Sequence, residues 1–375
     1  MRRGPGDKRT SAEWVWIVLF PVLLGLSLFA GYRIIQAGAG AILDAADGDV
    51  VQVVTNPRLP GYRAIVEPTA VSAALLVHSD ELVGAAVVVP VANGVGGTWF
   101  VIPPDIFLDG QTLATTFESD GVPGATVALQ LFTALRLEQV AVLDQQEWEK
   151  LLGTRPVTVQ LADDLVQVNG TVQFASGELT IDAASIGEVL GWLNPGEVSA
   201  NRLSRHNDVI TSWLATVSDP AVTLGDDVPL ATSLNSMVQG VLNTATIPIV
   251  ATDSLGFVPD IDLFQTMVHE LAPFAPSEAS VLRPQTLVLN GFSTDPGLTL
   301  QFVTQVAVAG AQVTALGNED TFLRAESSIV VSSELWLEFG EEIADALGIG
   351  TVILDPEENP AFDLVVHLGL DLFGP

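Results

Sequence analysis

The sequence predicts an α/β protein with an N-terminal transmembrane helix, an α/β/α layered sheet domain and a small C-terminal α/β domain. Three observations carry this reading. One run of 19 uncharged residues, Trp14 to Tyr32, lies close to the N-terminus. Downstream, short β-type apolar runs alternate with segments whose apolar residues recur at helical spacing. A proline-punctuated stretch, Pro273, Pro276 and Pro284, then precedes a fresh strand-helix-strand order.

As a helix the uncharged run spans ~28 Å, about one hydrocarbon core. Trp14, Trp16 and Tyr32 sit near its ends, where amphipathic rings favour the membrane interface. Arg2, Arg3, Lys8 and Arg9 precede it and predict a cytoplasmic N-terminus, with everything after the helix outside the cytoplasm. A cleaved signal peptide ending near Ala37-Gly38-Ala39 competes, but the run is long for one and Arg33 intervenes. The domains expected are therefore a cytoplasmic tail (1–13), an anchor (14–35), a juxtamembrane spacer (36–66), a first domain (67–275), a linker (276–284) and a C-terminal domain (285–375). Asp44, Asp47 and Asp49 in the spacer read as solvated rather than as a calcium loop.

The first domain opens with three β-type runs, Ala73 to Val77, Leu82 to Val91 and Thr98 to Ile102. The glycines between the last two make a turn, because a phosphate cradle needs a helix after them and a strand follows. Gln111 to Gly124 reads as a polar loop lining a cleft. Ala125 to Leu137 has helical apolar spacing, as an ordinary core face or the wall of a lipid cavity. Val140 to Leu143 is a buried strand, Gln145 to Leu152 a helix, and Val157 to Leu161 and Val166 to Val168 are strands. Asn169-Gly170 fits a hairpin turn, and with Thr171 it also fits a glycosylation triplet.

From Asn201, the residues Leu203, Val209, Ile210, Trp213 and Leu214 form one apolar helical face. Arg202 and Arg205 lie on neighbouring turns of that helix, and beyond residue 33 no other two basic residues come within four positions of each other. Two planar guanidiniums suit phosphate or carboxylate. The alternative is a pair of solvated ion pairs with Glu197 or Asp208. Leu230 to Leu242 then reads as helix, Ile247 to Ala251 as strand and Asp260 to Leu271 as helix. After the prolines come strand Thr286 to Leu289, helix Leu298 to Ala309, strands Gln312 to Leu316 and Ser328 to Val331, helix Leu335 to Leu347, and strands Thr351 to Leu354 and Leu364 to Leu368. This is one β-α-β unit followed by another.

Charge narrows the function. The chain holds 45 acids against 14 bases; setting aside the five bases and two acids up to Arg33 leaves 43 against 9, a net of −34. Such a field repels nucleic acid, so no nucleic-acid partner is expected. The absence of cysteine removes disulfides, thiolate metal sites and cysteine nucleophiles. His78, His206, His269 and His367 show no metal-ligand spacing, and neither a nucleophile elbow nor a phosphate-binding loop is present.

Two segments resemble a known family. Gly177-x-Leu179-x-x-Asp182, an apolar helix, then Arg202-x-x-Arg205 with His206, resembles the end of the LytR-CpsA-Psr (LCP) catalytic domain. Leu287-Val288-Leu289-Asn290-Gly291, Leu316-Gly317-Asn318 and Ala344-x-Ala346-Leu347-Gly348 resemble the LytR C-terminal domain that often follows it. The resemblance covers nearly the whole chain from Trp14, and it rests on the ordered set rather than on one motif. It implies an LCP-like layered sheet and an outward-facing transferase that moves glycopolymer from a polyprenyl-pyrophosphate carrier to peptidoglycan with a divalent metal, here magnesium. Carboxylates would hold the metal, arginines the pyrophosphate, and an apolar cavity the prenyl tail.

By that resemblance Asp80, after Leu76-Val77-His78-Ser79, and Asp105, in Ile102-Pro103-Pro104-Asp105, would hold metal. Arg202, Arg205 and Asp105 would carry catalysis. The sequence also departs from the pattern. Pro104 and Leu82 stand where arginines are usual, Ser199 replaces an aspartate and His206 a glutamine. Leu190-Gly191-Trp192-Leu193-Asn194 replaces a segment with two arginines. Each lost charge-assisted partner costs about 1.5–3 kcal/mol. Three losses come to about 4.5–9 kcal/mol if additive. The expectation is thus a membrane-anchored cell-envelope protein of LCP type with reduced or absent activity, the alternatives being a transferase and a non-catalytic binding or scaffold relative.

Overall fold

The computed structural model describes residues 54–91, 95–197, 199–218, 224, 230–252 and 256–373. The expected tail, anchor and most of the spacer lie outside the described residues, as do Asp44, Asp47, Asp49, part of the glycine turn expected after residue 91 and residues 219–223 and 225–229. The mixed α/β architecture is as expected, built on a five-stranded and a six-stranded sheet, with four two-stranded pairs beside them.

In chain order the strands begin with β1 (Arg63–Ile65), β2 (Ser72–His78), β3 (Glu81–Pro90) and β4 (Gly97–Ile102), then the short hairpin β5 (Phe107–Leu108) and β6 (Gln111–Thr112). Helix α1 (Leu113–Thr133) leads to β7 (Gln139–Leu143), and α2 (Gln145–Leu152) to β8 (Val157–Leu161), β9 (Leu165–Val166), β10 (Val172–Phe174) and β11 (Gly177–Ile181). Next come α3 (Ala183–Gly191), α4 (Ser199–Val217), α5 (Ala231–Met237), β12 (Leu242–Thr246), β13 (Ile249–Thr252), β14 (Phe257–Pro259) and α6 (Ile261–Leu271).

The first sheet has the order β12-β4-β3-β2-β7. Its strands read as unbroken apolar runs because both faces are covered. Along β2, Ala74 and Leu76 face one layer while Ala73, Leu75 and Val77 face the other. The first layer is packed by α2 to α5, the second by α1 and α6. Aspartates start three of these helices: Asp144, Asp182 and Asp260 accept from the backbone N–H of Glu147, Ser185 and Leu263. Asp182 of the resemblance motif is therefore accounted for as a helix cap.

The segment expected to be a polar loop is helical from Leu113, capped by Thr112. Its polar residues form the outer side while Leu113 and Phe117 pack inward, and Gly121 (φ 65°), two residues before Pro123, breaks the helix where a loop was expected. The expected helix over 230–242 stops at Met237, and the chain turns at Gly240 into β12, which pairs parallel with β4.

The second sheet is formed by β15 (Gln285–Asn290), β16 (Gln312–Asn318), β17 (Ser328–Val331), β18 (Val352–Leu354) and β19 (Leu364–Leu368). Helices α7 (Pro296–Val308) and α8 (Leu337–Leu347) supply the two expected β-α-β crossovers. The order β1-β16-β15-β19-β17-β18 contains a strand from outside the C-terminal segment. Arg63–Ile65, within the expected spacer, pairs antiparallel with β16. The linker runs beside the end of α1: Arg136 N–H donates to Pro276 O at 2.8 Å and Glu278 N–H to Ala134 O at 3.0 Å.

Candidate functional site at the first sheet and helix α4

Because β3 is antiparallel to both β2 and β4, the C-terminal ends of β2 and β4 share one edge of the first sheet. Asp105 follows β4 there. Its carbonyl accepts from Phe257 N–H at 3.0 Å, and a Cβ at Gly256 (φ 155°) would lie 1.9 Å from that carbonyl, so only glycine allows this approach. Asp105 Oδ1 is buried with no hydrogen-bond partner.

Arg202, on the first turn of α4, is partly buried. Its Nε is buried without a partner, and it makes no ion pair within 4.0 Å. Burial lowers its guanidinium from the ordinary value; the largest opposing influence is the Asp105 carboxylate, with Glu197 and Glu81 adding to it and Arg205 working against it. Arg202 thus lies within the electrostatic reach of the Asp105 carboxylate without pairing to it. Glu81, at the first position of β3, joins them; sequence reading missed it because only the β2–β3 turn carries it to this edge.

Arg205 turns the other way. It is 7% exposed and pairs with the 4% exposed Glu197 at 2.7 Å. Its Nε donates to Val189 O at 3.1 Å and its Nη2 to Trp192 O. These carbonyls belong to and follow the last turn of α3, where unpaired carbonyls and the helix dipole favour a cation. The neighbouring His206 does the same, donating from Nε2 to Leu190 O at 2.7 Å. Burial, then the charge of Arg202, pushes His206 down to about 3, so it is neutral. Its Nδ1 faces Gly84 and is left unpartnered. The Arg205-His206 pair thus ties α4 to the end of α3. Of the two ion pairs weighed for the arginines, only that with Glu197 forms, and it is buried rather than solvated. Asp208 makes none, and burial raises its carboxyl.

Asp80 occupies an exposed two-residue hairpin turn with Ser79, both at positive φ (51° and 67°). Aspartate tolerates that backbone, and the mirror-image turn suits a hairpin. Among the described residues no three His, Asp or Glu side chains converge on a point that could hold a metal ion.

Behind the site, Trp99, Trp148 and Trp213 are fully buried and pack edge to face, with centroids 4.9 Å and 5.2 Å from Trp213. They fill the layer between the sheet and helices α2 and α4. On the opposite layer, Leu129 and Phe132 of α1 are core, while Val127 and Leu131 border a surface groove of about 420 Å³ with Asp109 and Asp120.

Solved structures similar to this chain include TagT of Bacillus subtilis, at 13% identity and a TM-score of 0.43, covering 55% of this chain and 90% of that one. The LytR-CPS2A-psr family protein YwtF (TagT) with bound octaprenyl pyrophosphate lipid aligns at 11% identity and a TM-score of 0.42, covering 55% and 91%. A protein described as a transcriptional regulator from Enterococcus faecalis gives 13% and 0.42, covering 56% and 90%. YwtF (TagT) belongs to the family that the sequence motifs resemble. No protein-family profile and no curated protein matches the sequence.

Proposed function

We propose that this chain is a cell-envelope protein of LytR-CpsA-Psr type, held outside the cytoplasm by its N-terminal helix, that binds cell-wall glycopolymer or its polyprenyl-pyrophosphate carrier without transferring it. One observation carries the non-catalytic reading: the guanidinium of Arg205 is committed to Glu197 and the end of α3. A desolvated pyrophosphate needs several cationic donors, and a donor already bonded inside the fold supplies none. Arg202 remains, beside Asp105. One charge-assisted contact adds about 1.5–3 kcal/mol to binding, which the rest of the ligand must supplement, and is too little to stabilise a developing phosphoryl charge alone.

A second reading, an LCP-type phosphotransferase, is favoured by the unpartnered Asp105 Oδ1 and Arg202 Nε, since unsatisfied polar atoms gather at functional sites. The test offers the purified full chain, in detergent, a polyprenyl-pyrophosphate-linked glycan with magnesium and peptidoglycan. The expected result is binding that Arg202→Ala weakens about ten- to hundred-fold, with no glycan joined to peptidoglycan. Transfer abolished by Arg202→Ala would replace this reading with the second. Absence of both binding and transfer would remove the site from either.

A further inference from the structure

Among the described residues, the outer strand β1 has no strand on its far side, which leaves that edge of the second sheet open. Val66 N–H donates to Thr314 O and Asn318 N–H to Tyr62 O, so alternate residues of the strand bond β16. Arg63 and Ile65 lie between these positions, and their N–H and C=O groups point away from the sheet. An edge of this kind is a template for another extended chain. Ile65 is 84% exposed, an apolar side chain beside unpaired backbone.

Ile65 also borders a groove of about 520 Å³ between β1, the linker and β16. Its rim is apolar where Leu282 stands 53% exposed. Its charge runs against the rest of the molecule. Arg136 lines it, exposed and with no hydrogen bond or ion pair from its side chain. Arg283 lines it too, donating to Gly310 O and Ala307 O at the end of α7 and meeting no carboxylate. The one acid on the groove, Glu278, is taken by the N–H and hydroxyl of Ser280. After Arg33 acids outnumber bases 43 to 9, yet here two guanidiniums line one groove against a single carboxylate.

We infer that this edge and groove take an extended segment of a partner protein that adds as a seventh strand beside β1 and places an acidic side chain on Arg136. Backbone pairing supplies the affinity and the arginine selects the sequence. An extended peptide fits better than a phosphate polymer, because the rim is apolar and the unpaired groups are peptide N–H and C=O. The inference does not rest on the proposed envelope function, and its failure leaves the transfer test above unchanged.

The probe is a fluorescein-labelled ten-residue peptide of alternating valine and threonine with one central glutamate, titrated against the full chain by anisotropy. Saturable binding is expected. It should weaken about tenfold when the peptide glutamate becomes glutamine or when Arg136→Ala is made, with little further loss when both are changed. Ile65→Pro removes only the outward N–H and should abolish binding with an unchanged urea midpoint. Independently, hydrogen exchange at Arg63 and Ile65 should slow when peptide is added to the unaltered chain. Binding indifferent to the glutamate and to Arg136, or no slowing of exchange, overturns the inference. So does short-chain polyphosphate binding in an Arg136-dependent way where the peptide does not bind.

Discussion

Two polar clusters, one at each sheet, differ in how completely they satisfy themselves. At the edge of the second sheet Asn318 Nδ2 donates to Pro57 O and Leu59 O at 2.8 Å and 2.7 Å, and Asn290 Nδ2 to Asn318 Oδ1 at 3.0 Å. Glu319 Oε1 accepts from Arg324 at 3.1 Å and lies 2.5 Å from His367 Nδ1, while His367 Nε2 is 2.7 Å from Glu358. At the first sheet, by contrast, Asp105, Arg202, His206 and Asn207 each leave a buried polar atom unpartnered. A network closed on itself fixes a structure, whereas open valences in a buried site favour a ligand. Two clusters of similar composition therefore have different uses.

The largest test moves a residue from the closed class to the open one. Glu197→Ala leaves Arg205 buried without its counter-charge and is expected to cost about 3–5 kcal/mol of unfolding free energy by urea titration. A cost within about 1 kcal/mol would mean that the carbonyls at the end of α3 suffice, and Arg205 would return as a candidate ligand.

Acid separates the clusters next. His206 is held at about 3 when folded and takes up a proton near 6.5 when unfolded, so the unfolded state binds more protons as pH falls through that window. Between pH 7 and 5 this residue should remove about 2 kcal/mol of stability. His269, lowered to about 4 by burial, acts in the same direction. The difference between the unaltered chain and His206→Asn isolates the first contribution. Glu319 is held below the usual carboxylate range, chiefly by its hydrogen bond with His367. Its stabilisation is present above pH 4.5 and is lost only as pH falls through its lowered value. Unfolding followed against pH in His206→Asn should therefore lose only the His206 share of the decline between pH 7 and 5, the His269 share remaining, and keep its loss at lower pH.

The smallest effect is the sharpest contrast. Arg202→Ala removes no hydrogen bond or ion pair and should change stability by less than about 1 kcal/mol. Arg324→Ala, in the closed cluster, should cost about 1–3 kcal/mol. Equal costs would erase the distinction between the clusters.

Much of the fold was readable because its signals are local. Gln145–Leu152, Val157–Leu161, Ser328–Val331 and Leu364–Leu368 fall where periodicity places them. The start of α1 was hidden because its first turns carry threonine, glutamate and aspartate on an exposed side. β1 was hidden because three residues beside Pro57 and Pro60 carry no pattern, and its partner lies in the second sheet. At the site, the step between Arg202 and Arg205 put both on α4, but the direction of each depended on other elements. Arg205 follows carbonyls of α3 that no spacing rule connects to it, whereas Arg202 follows the turn after β4. Asp80 was legible as a residue at a strand end; that the turn itself asks for it shows only in the backbone.

The pairing of β1 has a consequence for how the chain matures. The Asn318 carbonyl accepts from the guanidinium of Arg63 across 255 residues of sequence, so the second sheet cannot be completed until almost all of the polypeptide has been synthesised. Strands β2 to β12 have every partner they need long before then. A tension applied at residue 54 in the finished molecule would load the Asn318 bonds to Pro57 O and Leu59 O first and the three β1 pairs with β16 next, ahead of the layered sheet.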